Sequence, residues 1–251
     1  MDYTIILGFM KLIEQTIGLY SDLLAADFPT PGGGSTAALN GVLGCSFIMK
    51  IARITLKKGK AAGNTALLRR IIDEAESLRQ ELLGLVDDDT EAYNGIMAAL
   101  AAPQSTADEQ GRQRERLRGA LKAAIEIPLR ILQTSLAALD LAWQLSENYY
   151  AGTASDLALA ALNLEAAARG AYLTVRINLN HLSDTGTAGG RAETSGGSKG
   201  IAGADLSDAE YLQYKARESA ARLAEAEGMA HRIYDGVKTL LCGEVTGDAE
   251  S

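Results

Sequence analysis

Aromatic residues make up only 5% of this 251-residue chain, and it has only 4 prolines. Alanine and leucine recur throughout instead. Twisted sheet draws on β-branched and aromatic residues, whereas Ala and Leu are strong helix formers, so this balance excludes an all-β fold and favours long helices. Cysteine is confined to Cys45 and Cys242, far apart in sequence. That rules out a disulfide framework and a paired ligand spacing, and it predicts a reducing compartment with two buried, inert thiols. Histidine occurs only as His181 and His231, without a His-x-x-x-His spacing, so no zinc site is expected. Positive charge is in deficit, 24 Lys plus Arg against 32 Asp plus Glu for a net charge of −8. Phosphate backbones need clustered positive charge, which argues against a nucleic-acid partner and leaves an anionic ligand dependent on a local basic patch. The start of the chain lacks the basic residues, apolar run and cleavage site of a secretory signal, so the expected location is cytoplasmic. The uncharged stretch from Phe28 to Met49 is interrupted by Pro29, Pro31 and a Gly triplet, and no membrane span is expected there.

Periodicity supplies the positive evidence. Ile6, Phe9, Met10, Ile13, Ile17, Tyr20 and Leu24 step by three and four, which predicts one apolar face on a first helix ended by Pro29 and Pro31. A second helix is expected from about Thr36 to Lys57, with Ser35 or Thr36 as N-cap. Its small residues Ala37, Gly41, Gly44 and Cys45 suit close helix packing, and Gly59 suits its stop. A third helix runs from Asn64 through Leu68, Ile71, Ala75, Leu78, Leu82 and Tyr93 to near Pro103, and a fourth opens on the capping box Thr106 to Glu109. Pro128 is expected to kink the fourth helix or split it. Ser155 is expected to cap a fifth, ending near Leu179, and Ser207 to Glu210 a last one. Between Asp184 and Asp205, glycines at 186, 189, 190, 196, 197, 200 and 203 predict a long mobile loop. No alternating strand pattern, repeat or domain boundary is visible. The expected fold is an all-α, single-domain multi-helix bundle over residues 1–251, with long central helices and the Gly-rich loop 184–205 as an excursion.

The chemistry-bearing residues are few. No Gly-x-Ser-x-Gly elbow is present, and the glycine triplet Gly32-Gly33-Gly34 before Ser35-Thr36 lacks the lysine of a phosphate loop and the strand of a dinucleotide fold. What survives is a glycine turn at a helix N-terminus, either a site for an anion or polar ring edge, or simply a tight turn. In Asp87-Asp88-Asp89, residues about 100° apart on a helix point differently, and only Asp89 lies in line with the apolar seam. A carboxylate there suits proton transfer or stabilisation of a cation; the alternative is a structural ion pair. Asp156 reads most simply as a first-turn helix stabiliser.

Taken together, Pro29-Thr30-Pro31-Gly32-Gly33-Gly34-Ser35, Asp87-x-Asp89-Thr90-x-Ala92-Tyr93, Asn148, Ser155-Asp156-Leu157 and Val175-Arg176-Ile177-Asn178-Leu179 have an order and spacing similar to the cyclodeaminase/cyclohydrolase family, over about residues 8 to 240. That family is the C-terminal domain of formiminotransferase-cyclodeaminase and also occurs as stand-alone bacterial proteins. The resemblance implies an all-helical homodimer acting on tetrahydrofolate one-carbon adducts, with a tetrahydrofolate derivative as substrate, no further cofactor and no metal. The implied reaction is cyclodeamination of 5-formiminotetrahydrofolate to 5,10-methenyltetrahydrofolate and ammonia. Hydrolysis of methenyltetrahydrofolate and non-catalytic folate binding are the alternatives. Asp89 is the expected acid/base, assisted by Asp87 or Asp156. Pro31, Gly32, Gly33, Gly34, Ser35, Tyr93 and Asn178 are expected at the ligand, and Lys57 and Lys58, with Lys60, near the folate carboxylates.

Overall fold

The computed structural model describes residues 11–60, 63–187 and 206–243, apart from the side chains of 184–187, 206–209 and 243. The described residues are mostly helical and include no strand: α1 (Ile17–Ala25), α2 (Gly33–Lys57), α3 (Thr65–Leu100), α4 (Ala107–Ser146), α5 (Ala154–Thr187) and α6 (Leu206–Gly243), with short 3₁₀ turns at Leu12–Glu14 and Ala151–Thr153. The all-α expectation holds. The helices pack as two compact units, each assembled from separate stretches of chain. The first takes residues up to Ser35 with Leu85–Arg130 and Ala171–Ala221; the second takes Thr36–Gly84, Ile131–Gly170 and the chain from Arg222 onward. Sequence offers no boundary between them because the divisions fall inside continuous helices.

The first unit is built on Leu121, Ile125 and Leu129 of α4 against Val175, Leu179 and Leu182 of α5, all buried, with Ile96, Leu117, Tyr211, Leu212 and Ala216 around them. Pro128 sits inside α4 without splitting it. A proline has no N–H to give the carbonyl four residues back, yet the Ala124 carbonyl is not orphaned, because Asn178 Nδ2 donates to it at 2.7 Å. In the second unit the small residues of α2 do what their size suggests. A Cβ at Gly44 would lie 2.5 Å from Leu164 Cγ, and one at Gly41 would lie 2.9 Å from Leu82 Cδ1. Cys45, beside them, is fully buried, and burial pushes its thiol up to about 12. Cys242 is exposed, so the expectation of two buried thiols holds for only one of them.

Helix ends follow local chemistry. Gly59, at φ 63, closes α2 with Gly59 N–H donating to the Leu56 carbonyl and Lys60 N–H to that of Thr55, the double bond of a glycine-terminated helix. The Thr106 box is complete: Glu109 N–H donates to Thr106 Oγ1 at 3.2 Å and Thr106 N–H to Glu109 Oε2 at 3.1 Å.

Other ends differ from expectation. The first helix starts only at Ile17, where Thr16 Oγ1 accepts from Leu19 N–H at 3.1 Å. Its anticipated face is not a core face: Ile17 is 90% exposed, Ile13 and Leu24 are also exposed, and Leu12 and Leu23 are the buried residues. The apolar spacing persisted, but a cap and a 3₁₀ turn reset the register. Ile6, Phe9 and Met10 lie outside the described residues. Ser155 does not cap α5, which begins at Ala154 directly after the 3₁₀ turn, and the helix continues to Thr187 beyond the anticipated end at Leu179. Most of the Gly-rich segment, 188–205, and the Ser207 side chain lie outside the described residues. Helix α2 is long and apolar enough to cross a membrane, and 56% of an apolar 18-residue stretch within it is buried in the structure.

Candidate active site

The glycine turn and the acidic run meet in the first unit. Thr30–Pro31 is a cis peptide, and the buried Pro31 leads into Gly32 and the start of α2 at Gly33. Ser35 or Thr36 was expected to cap this helix from within. The cap comes instead from α3: Asp89 Oδ2 accepts from Ser35 N–H at 2.8 Å and from Ser35 Oγ at 2.9 Å. Counted from Gly33, Ser35 is the third helical residue, whose amide an N-cap side chain normally satisfies. Asp89 therefore supplies from a distant helix what the local sequence does not.

Gly34 explains how the carboxylate comes so close. A Cβ on residue 34 would fall on the Asp89 carboxyl group. The neighbouring Gly33 is exposed, and a Cβ there would meet nothing within 4 Å. The three glycines thus have different surroundings, and only the third, Gly34, is required by the carboxylate. The Ser35 amide, one of the backbone donors at this turn, is occupied by Asp89.

Asp89 is half-buried, and burial raises its carboxyl pKa above the ordinary range while the Ser35 hydroxyl and amide pull it down. Burial wins. Oδ2 carries both bonds, and Oδ1 has no hydrogen-bond partner among the described residues. The arrangement is a carboxyl group with one oxygen anchored at a helix N-terminus and the other beside Gly34, with no hydrogen-bond partner among the described residues.

The other expected site residues divide by role. Asp87 Oδ1 accepts from Leu12 N–H at 2.6 Å, so this carboxylate tethers the segment before α1. Tyr93 is half-buried one turn beyond Asp89. Asn178 donates one amide N–H to the Ala124 carbonyl, leaving its second N–H and Oδ1 for a ligand. Asp156 belongs to the second unit, where it pairs with Lys50 at 2.8 Å. Lys57 and Lys58 are exposed in the same unit, and Lys58 Nζ stands 5.7 Å from the centre of the Tyr150 ring.

Sequence reading missed two features. Thr90 Oγ1 lies 3.4 Å from Ser35 Oγ; its place next to Asp89 was visible, but not the hydroxyl it faces. The second unit also holds a cleft of about 390 Å³ lined by Ser46, Met49, Arg53, Glu76 and Arg79. There Glu76 takes both Nε and Nη2 of Arg79, and these bonds hold its carboxyl down to about 2. The Glu76 and Arg79 spacing was readable as a helical pair; Arg53 as its neighbour was not.

A helical protein whose glycine turn is capped by a carboxylate from another helix is thus defined by fold and site. The chain belongs to the formiminotransferase-cyclodeaminase family, whose model matches residues 16–194. It is 30% identical over 226 residues to a methenyltetrahydrofolate cyclohydrolase of Methylorubrum extorquens, covering 90% of this chain and 97% of that protein. A formimidoyltransferase-cyclodeaminase of Rattus norvegicus is 28% identical over 174 residues, 69% of this chain but only 32% of that longer protein. A crystal structure of formiminotetrahydrofolate cyclodeaminase from Thermotoga maritima shares the fold, with a TM-score of 0.71 at 22% identity over 92% of this chain and 100% of that one.

Proposed function

We propose that this chain is a formimidoyltetrahydrofolate cyclodeaminase, closing 5-formiminotetrahydrofolate to 5,10-methenyltetrahydrofolate with release of ammonia. The observation that carries the reading is the Asp89 carboxyl, raised in pKa and held by Ser35 through one oxygen. In the reaction, N10 forms a bond to the formimino carbon, giving a tetrahedral aminal; the bond from that carbon to the former imine nitrogen then breaks. The formimino group enters as its protonated amidinium; Asp89 accepts the N10 proton and returns it to the departing amine, which leaves as ammonia, and the carboxylate charge stabilises the cation that passes to the methenyl product. A carboxyl with a raised pKa suits this task, because it must both take and give a proton near neutrality. Gly33, exposed in front of the turn, leaves room for a ring edge beside the carboxylate.

The second reading is methenyltetrahydrofolate cyclohydrolase, favoured by the match along nearly the whole length of the Methylorubrum protein. Water then attacks the same carbon and the same carboxyl removes its proton; the bond from that carbon to N5 breaks as the proton is delivered to N5, leaving a formyl group on N10. Incubating the chain separately with 5-formiminotetrahydrofolate and 5,10-methenyltetrahydrofolate, while following ammonia and methenyl absorbance, decides between them. Ammonia release supports the first reading, loss of methenyl absorbance without it the second, and neither signal sinks both.

In this reading the working form is a homodimer in the cytoplasm. Leu173 and Ile177, one turn apart on α5 and 65% and 56% exposed, support a partner surface. The free thiols suit a reducing compartment. Scattering mass in solution tests the dimer, and a monomer would contradict it.

A further inference from the structure

The residues proposed to assist Asp89 from sequence are engaged elsewhere, Asp87 with Leu12 and Asp156 with Lys50. The geometry points to Thr90 as the positioning residue of the site: its hydroxyl donates to Ser35 Oγ, directs the Ser35 proton onto Asp89 Oδ2, and so leaves Oδ1 as the oxygen that exchanges protons. This inference rests on the proposed role of Asp89.

Proton counting supports it. An ionised carboxylate has no proton to give, so in the Ser35 to Asp89 contact at 2.9 Å the hydroxyl is the donor. Ser35 has a single hydroxyl proton and has spent it. In the 3.4 Å contact between Ser35 Oγ and Thr90 Oγ1, Thr90 is therefore the donor. A second observation agrees. Helix-interior hydroxyls commonly bond the carbonyl four residues back, as Ser46 does to Val42, Thr55 to Ile51 and Ser135 to Ile131. Thr90 makes no such bond among the described residues and reaches across to α2 instead.

The chain of donors has a chemical consequence. A hydroxyl that accepts a hydrogen bond becomes a better donor, so Thr90 strengthens the hold of Ser35 on the ionised carboxylate. With the Ser35 amide also on Oδ2, a proton arriving at Asp89 meets on Oδ1 electron pairs that no donor among the described residues engages. Neither Ser35 bond then has to break when Asp89 changes protonation state, which is preorganisation of the kind that lowers a proton-transfer barrier.

Thr90→Val removes the hydroxyl at nearly constant shape, and Thr90→Ser keeps it. The decisive measurement is a carbon NMR titration of the Asp89 carboxyl in the full chain, assigned by its absence in Asp89→Asn. Thr90→Val is expected to move the midpoint upward by about half a pH unit and Thr90→Ser to restore it. In the folate assay Thr90→Val is expected to lower kcat about tenfold, with KM within about twofold. An unchanged midpoint in Thr90→Val overturns the inference whatever kcat does. Equal shifts in both variants assign the effect to packing and also overturn it. If the unaltered chain turns over neither folate, the proposed function fails, and the titration still decides whether Thr90 directs the donor chain.

Discussion

Asn178 Nδ2 donates at 2.7 Å to the Ala124 carbonyl, the acceptor that Pro128 leaves without its helical partner. A half-buried side chain of α5 thereby repairs the backbone of α4, and the proline is accommodated without breaking the helix.

The pairing is open to a double-mutant test. Asn178→Ala should cost about 1–3 kcal/mol by urea denaturation, because it strands the carbonyl. Combined with Pro128→Ala, which restores an N–H to the helix, the same change should cost clearly less. Equal costs in the two backgrounds would show that Asn178 matters for another reason.

Gly34→Ala places a methyl group on the Asp89 carboxyl, so the carboxylate or the turn must move. Loss of about 1–3 kcal/mol of stability is expected, together with a fall in folate turnover of at least about a hundredfold. Gly33→Ala meets open space and should lose about 1 kcal/mol or less. Thermal melts and the ammonia assay read both variants.

Asp89→Asn should abolish most turnover, a loss of about 10²–10⁴-fold, while the fold persists, since the amide oxygen can still accept from Ser35. The pH dependence has a definite sign. The folded carboxyl has a raised pKa, so the native state holds a proton that the unfolded chain has released in the window between the two values, and stability declines as pH rises through that window. The stability of the unaltered chain relative to Asp89→Asn should therefore fall as pH increases from the usual carboxylate range upward, then level off. A rising difference would contradict the burial-dominated carboxyl.

Asp156→Asn should leave turnover within about threefold. Its carboxylate pairs with Lys50, whose side chain is 53% exposed, and exposed ion pairs contribute about 1 kcal/mol or less. A loss of activity comparable to that of Asp89→Asn would return Asp156 to the chemistry.

Much of this architecture can be read in the sequence, because local rules govern it. The Thr106 box, the Gly59 stop and the close contacts at Gly41 and Gly44 depend on spacing and residue size. Asp89 could be singled out from its neighbours because 100° per residue separates them on the helix. The rest depends on tertiary partners. That Asp89 would cap α2 in place of Ser35 or Thr36 requires knowing which helix lies beside the turn. The commitments of Asn178, Asp87 and Asp156 are likewise contacts between residues distant in sequence, about which spacing says nothing.

The two cysteines make the chain its own reporter. A maleimide dye should couple at neutral pH to the exposed Cys242 and leave Cys45 unmodified, since a thiol with a pKa of about 12 offers almost no nucleophilic anion. Slow modification of Cys45, followed by mass spectrometry, then becomes a clock for how often the interior helix opens to solvent.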